Sequence, residues 1–175
     1  ELTNVSKLYV TCQKIFGSIY ETDGKLYVTS DKIEGISGSA TPLVRLFGGI
    51  ARVSIKEIAE NTTTGPMIDV QGGTNYLDIG DYVATTSSGM TVGGGTIRFG
   101  GLINTSGNAS VDCIDKSGGT LVLKSGTTLV PHSTQNSIYA GTAQNVISYG
   151  HFAKYAKHAN VTLLVGSETV STDIV

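Results

Sequence analysis

Tryptophan is absent from the 175 residues, and proline (three residues), cysteine (two) and charge (15%) are scarce. Each shortage removes a class of protein. Two cysteines cannot make a disulfide framework. A net charge of −2 gives no basic footprint for nucleic acid. No apolar run approaches the roughly 20 residues that span a bilayer, so no membrane insertion is expected. The opening residues do not read as a signal peptide. Long helical periodicity is also missing. So are a G-x-S-x-G elbow, a phosphate loop and any metal spacing of Cys and His. His132, His151 and His158 are not spaced as a ligand set. Neither cofactor nor metal is expected.

What the chain has is a repeat. Lys7-Leu8-Tyr9-Val10-Thr11 returns as Lys25-Leu26-Tyr27-Val28-Thr29, and Lys14-Ile15 and Gly17 return in step as Lys32-Ile33 and Gly35, all at an offset of 18. Gly-rich marks then recur at Gly24, Gly49, Gly73, Gly95 and Gly119, at steps of 25, 24, 22 and 24. After each mark comes a short alternating stretch: Leu26-Tyr27-Val28, Val53-Ser54-Ile55, Leu77-Asp78-Ile79, Ile97-Arg98-Phe99 and Leu121-Val122-Leu123. A second column precedes the marks. Leu43-Val44-Arg45-Leu46 lies over Met67-Ile68-Asp69-Val70, with Met90-Thr91-Val92 next. A third apolar site falls at Ile33, Ile58, Tyr82-Val83, Leu102-Ile103 and Leu129-Val130.

A unit of this length, with short strands and glycine corners, describes one rung of a parallel β-helix. No rung buries its inward side chains alone, so rungs stack and share a continuous core. The expected fold is an all-β, single-chain, right-handed parallel β-helix with rungs of 18–25 residues. It should occupy 1–147, with 148–175 as a cap over the open end or a contact between subunits. Within that segment, Val161–Val165 reads as a strand and 151–158 as a short helix or an irregular crossing. A start at Glu1 is expected for a piece of a longer protein. Cys12 and Cys113 fall several rungs apart, roughly 20 Å at about 4.8 Å per rung, beyond disulfide reach, and read as small structural residues.

With the apolar triplets aligned, the outward column reads Tyr9, Tyr27, Ser54, Asp78, Arg98, Val122. Column neighbours lie about 4.8 Å apart, so Tyr9 should stack on Tyr27, Asp78 should sit beside Arg98, and Arg45 beside Asp69. Such pairs help to fix register, at about 0.2–1 kcal/mol each. Alternatively Tyr9, Tyr27, Asp78 and Arg98 line a carbohydrate groove. Glycosidases hold two carboxyls about 5–5.5 Å or about 6.5–9.5 Å apart. Asp78 with Asp81 is the best pair of that kind, flanked by Tyr76 and Tyr82. Asp112 with Asp115 and Glu57 with Glu60 lack such surroundings, and solvated rung faces explain all three. The sequons at Asn4, Asn61, Asn104, Asn108 and Asn160 follow from composition, and Thr62–Thr64 and Thr85–Ser88 are polar corners. Outward apolar residues in one column would favour packing about a three-fold axis; Phe16, Ile36, Phe47 and Val122 are the candidates.

The ladder from Leu8 to Val130, with the end piece Asn145–Gly150 and Ala159–Val165, resembles the β-helical shaft of bacteriophage tail spikes and tail fibres, a pectin-lyase-like solenoid. The resemblance implies a virion tail protein, a homotrimer that binds or depolymerises a polysaccharide or other receptor on the host surface. No position matches an identifiable catalytic motif of such spikes. Two other expectations share the fold. One is a polysaccharide lyase or hydrolase acting through Asp78 and Asp81; the other is a secreted adhesin passenger at the cell surface.

Overall fold

Alternation of apolar and polar residues makes each segment a strand with one wet face, and the glycine marks turn it back over its predecessor. The computed structural model describes residues 6–36, 39, 41–59, 65–82, 89–148 and 158–165, with side-chain burial assigned through Ala140 and at Val146. Long and short strands alternate: β1 (Leu8–Phe16), β2 (Ile19–Glu21), β3 (Lys25–Glu34), β4 (Val44–Leu46), β5 (Ile50–Ala59), β6 (Ile68–Val70), β7 (Thr74–Tyr82), β8 (Met90–Val92), β9 (Thr96–Asn104) and β10 (Ile114–Lys116). They are followed by β11 (Thr120–Leu123), β12 (Thr128–Val130), β13 (Ile138–Ser148) and β14 (His158–Val165). No helix occurs among the described residues.

Every ladder is parallel. The long strands stack in the order β1-β3-β5-β7-β9-β11-β13, the short ones in the order β2-β4-β6-β8-β10-β13, and β12 pairs the end of β9. The protein is a β-solenoid. The 18-residue repeat is in register, with Leu8 opposite Leu26 and Ile15 opposite Ile33. Beyond it, Lys25, Ile50, Thr74, Thr96 and Thr120 face one another in turn. Each of these follows a corner glycine directly. The corner at Gly73 shows why no other residue serves: φ is +76°, and a Cβ there would lie 2.2 Å from the Gly48 carbonyl oxygen.

β13 carries both ladders at once, its start on β10 and its end on β11. β14 adds in parallel to β13, so Val161–Val165 is a strand that continues the stack. Residues 149–157 and 166–175 of the expected cap, together with Val83, Glu60, Asn4, Asn61 and the two threonine corners, lie outside the described residues.

The core is a set of inward columns such as Ile19-Val44-Ile68-Met90-Ile114-Ile138, all buried. Each such side chain contributes about 1.5–3 kcal/mol on burial. The neighbouring column reads Glu21-Leu46-Val70-Val92-Lys116-Ala140, so an apolar run is bracketed by two ionisable residues. Lys116 donates from Nζ to the Gly119 carbonyl at 2.8 Å, and burial lowers its pKa. Glu21 is 5% exposed and neither carboxylate oxygen has a hydrogen-bond partner of good geometry among the described residues. Burial pushes its carboxyl above the ordinary 4.5; the nearby Gly48 amide opposes that shift and the Asp23 charge adds to it.

Three expectations need correction. In the middle of the ladder the outward column is Tyr9, Tyr27, Arg52, Tyr76, Arg98, Val122. Ser54 and Asp78 belong to the next column, with Thr11, Thr29 and Gly100. The apolar triplets had slipped by two residues, a shift that keeps every side chain on its own face and so leaves the in-out pattern unchanged. Small Ala51 and polar Asn75 hold the inward places of Leu26 and Ile97, which hid the true alignment. Second, Val122 is buried, although it stands in the outward column between Arg98 and Ile147. Third, Tyr82 is fully buried in the column of Ile33 and Ile58, so its ring is not on the outer surface with Asp78 and Asp81.

Candidate binding face

Along the outside of the long ladder, strand spacing brings tyrosines and cations from successive strands into contact. Tyr9 (β1) and Tyr27 (β3) stack with ring centroids 4.6 Å apart and planes 18° apart. The Lys7 ammonium lies over both rings, 4.8 Å from Tyr9 and 5.5 Å from Tyr27. The hydrogen bond to the Tyr9 hydroxyl raises the Lys7 pKa. On the other side the Arg52 guanidinium (β5) reaches over Tyr27 at 5.9 Å and over Tyr76 (β7) at 5.2 Å. Arg98 (β9) is exposed opposite Tyr76. The row is therefore Lys7, Tyr9, Tyr27, Arg52, Tyr76, Arg98, running across the strands.

Two consequences follow from packing rings and cations alternately. Tyr9 and Tyr27 spend one face each on the other, while Tyr9, 63% exposed, still shows ring surface and hydroxyl to solvent. The cations are also fixed: cation–π contacts at exposed sites are worth about 0.5–1 kcal/mol each and hold long side chains that would otherwise rotate freely.

Of the residues expected at a site, Tyr9 and Tyr27 meet as foreseen, and Arg98 joins them one column over from Asp78. Asp78 does not reach Arg98. It faces Gly100 in register, and its Oδ1 accepts from Lys124 Nζ at 2.6 Å. That bond spans two strand steps because Gly100 leaves the gap open; a Cβ there would lie 2.8 Å from Asp78 Oδ1 and 3.3 Å from Lys124 Cδ. Asp81 lies opposite Glu57, which pairs with Lys32 at 2.6 Å. Arg52 was missed, and Tyr76 was placed beside Asp78 and Asp81 and not in the row. The glycine spacing would have found them, since Tyr27, Arg52, Tyr76 and Arg98 each stand three residues beyond their corner glycine.

A second, smaller cluster sits on the short ladder. Tyr20 and Phe47 meet edge to face at 5.5 Å, with Arg45 over both at 4.9 and 5.2 Å. Arg45 faces Asp69 as expected, but Asp69 Oδ1 accepts from Gln71 and Thr91 at 2.6 and 2.8 Å. Both cysteines are free. Cys12 stands opposite Ser30, its Sγ 3.8 Å from the hydroxyl. Cys113 is buried, and desolvation pushes its thiol up to about 11 against the opposing Thr105 hydrogen bonds. A thiol so far above neutral pH is not a nucleophile. Among the described residues no group of His, Cys, Asp and Glu is arranged to hold a metal, and no helix is long and apolar enough to cross a membrane.

No protein-family model, no characterised protein and no solved structure matches the chain.

Proposed function

We propose that this protein is a structural and host-recognition segment of a phage tail spike or tail fibre, and that it binds a cell-surface glycan along the Tyr9–Arg98 row. The observation that carries the reading is the row itself: cations and tyrosines on one outer face, in contact from Lys7 to Tyr76, with Arg98 in register opposite Tyr76. A solenoid needs no such row for its stability, because its core columns lie on the other side of the same strands. Tyrosine hydroxyls and guanidinium N–H groups are donors suited to the hydroxyls and acidic groups of a polysaccharide. On this reading the protein belongs to the virion tail and is a homotrimer, with Phe16, Ile36 and Phe47 as exposed apolar residues for contact between subunits.

The test is a panel of bacterial surface polysaccharides assayed both for saturable binding and for release of reducing ends. Binding to one polysaccharide without release is the expected result. Release that Asp78→Asn/Asp81→Asn abolishes would replace this reading with a depolymerase, and neither binding nor release would leave a purely mechanical shaft.

A further inference from the structure

Register sorts the charges unevenly. The outer face of the long ladder begins with three outward columns: Lys7, Lys25, Ile50, Thr74, Thr96, Thr120; then Tyr9, Tyr27, Arg52, Tyr76, Arg98, Val122; then Thr11, Thr29, Ser54, Asp78, Gly100, Lys124; the exposed Gln13, Asp31 and Lys56 follow in a fourth. Its six cations, Lys7, Lys25, Arg52, Lys56, Arg98 and Lys124, stand against two acids, Asp31 and Asp78, a net of +4. The whole chain, with 12 Lys and Arg against 14 Asp and Glu, is −2. Everything outside this face therefore sums to −6.

The contrast continues in how cations are held. Toward the ends of the same long strands, lysines sit on carboxylates of adjacent strands: Lys14 on Glu34 and Lys32 on Glu57 at 2.6 Å, and Lys56 on Asp31. In the first two columns, Lys7 and Arg52 lie on tyrosine rings. A ring fixes a cation without cancelling its charge. Like charges gathered in this way repel one another, a cost that an anion removes.

We infer that the glycan bound by this face is acidic, a linear polysaccharide lying along the solenoid axis with its carboxylates or other anionic groups on Arg52 and Arg98. The inference rests on the glycan-binding reading above and adds the charge of the ligand and its direction. Arg52 and Arg98 stand two strands apart in one column, about 9.6 Å at the usual strand spacing. A chain with one acid group in each disaccharide presents its charges periodically, as such a row requires. Bidentate guanidinium–carboxylate bonds are the strong, oriented contacts available to it. Neutral sugars cannot form those charged bonds and so gain less.

The experiment is a calorimetric titration of the full chain with hyaluronan, which has one carboxylate per disaccharide, with carboxyl-reduced hyaluronan and with single-stranded DNA, at low and at physiological salt. Hyaluronan is expected to bind at least tenfold more tightly than its reduced form and than DNA, and to weaken as salt rises. Arg98→Gln, at an exposed position, should lower the affinity at least fivefold with unchanged melting, and Arg52→Gln/Arg98→Gln further, with a lower melting point from the lost contacts of Arg52 with Tyr27 and Tyr76. Lys56→Gln in the fourth column, where Asp31 pairs with it, should leave the affinity unaltered. Equal binding of the native and reduced polymers would overturn the acidic ligand and leave the glycan reading standing. Binding of DNA as tight as that of hyaluronan, or no binding of hyaluronan, would overturn the inference outright. Loss of every interaction across the polysaccharide panel would remove both readings.

Discussion

Glu21 is the residue most at odds with its surroundings. It occupies an inward place that Leu46, Val70 and Val92 fill with hydrocarbon in the strands above, and its oxygens have no hydrogen-bond partner of good geometry among the described residues. Burying an unpaired charge is costly, and replacing it with a fitting apolar group is often stabilising. Its raised pKa sets the sign of the pH effect. Below 4.5 the carboxyl is neutral folded or unfolded and costs nothing extra. As pH rises through the raised folded value, the unfolded chain ionises more readily and stability falls. Glu21→Gln should therefore melt at the same temperature as the wild type near pH 4 and above it at pH 7, as thermal denaturation across that range would show. An equal or lower melting point for Glu21→Gln at pH 7 would mean that the carboxylate has a favourable partner. The Lys124–Asp78 pair is different in kind. It is exposed, and Lys124→Met should cost less than about 1 kcal/mol by chemical denaturation.

At the scale of the element, corner and strand carry separate information. The strands declare which residues point inward, since Leu26, Val28, Val53 and Leu77 alternate with polar neighbours, and all four are buried. They do not declare which inward residue stacks on which. A two-residue slip preserves the alternation, so Asp78 seemed to neighbour Arg98 when Tyr76 does. The corner glycines hold that information because they stack directly: a Cβ at Gly119 would meet the Gly95 carbonyl oxygen at 2.5 Å. The sequence therefore contained the true register at its glycines, and with it the Arg52–Tyr76 half of the row. What no pattern in the sequence revealed is the burial of Val122 or the long reach of Lys124, since both depend on what the neighbouring strands leave open. Gly73→Ala should destabilise by about 2–3 kcal/mol, because it places a side chain at positive φ and drives it into the corner below. A denaturant midpoint close to the wild-type value would show that the corners are not what pins the ladder.

For the whole molecule, the solenoid turns a short repeat into long, parallel columns, and so turns residue type into surface stripes. One broad face becomes cationic and tyrosine-rich while the rest of the chain is acidic, a segregation that a globular fold with irregular loops would scarcely produce from so few charges. The same geometry leaves Phe16 (71% exposed) and Ile36 (69%) at the surface near the β1–β3 end. If they serve contact between copies, light scattering should give three times the chain mass of 18.2 kDa, and a mass of one chain would count against the trimer. The recognition face is tested most directly by radical footprinting of the tyrosines with and without the polysaccharide that binds best. Tyr20 and Tyr139, 52% and 41% exposed on the short ladder, are internal controls. The account expects Tyr9, Tyr27 and Tyr76 to become protected while Tyr20 and Tyr139 react at an unchanged rate. Protection confined to Tyr20 and Tyr139 would contradict it and move recognition to the opposite ladder.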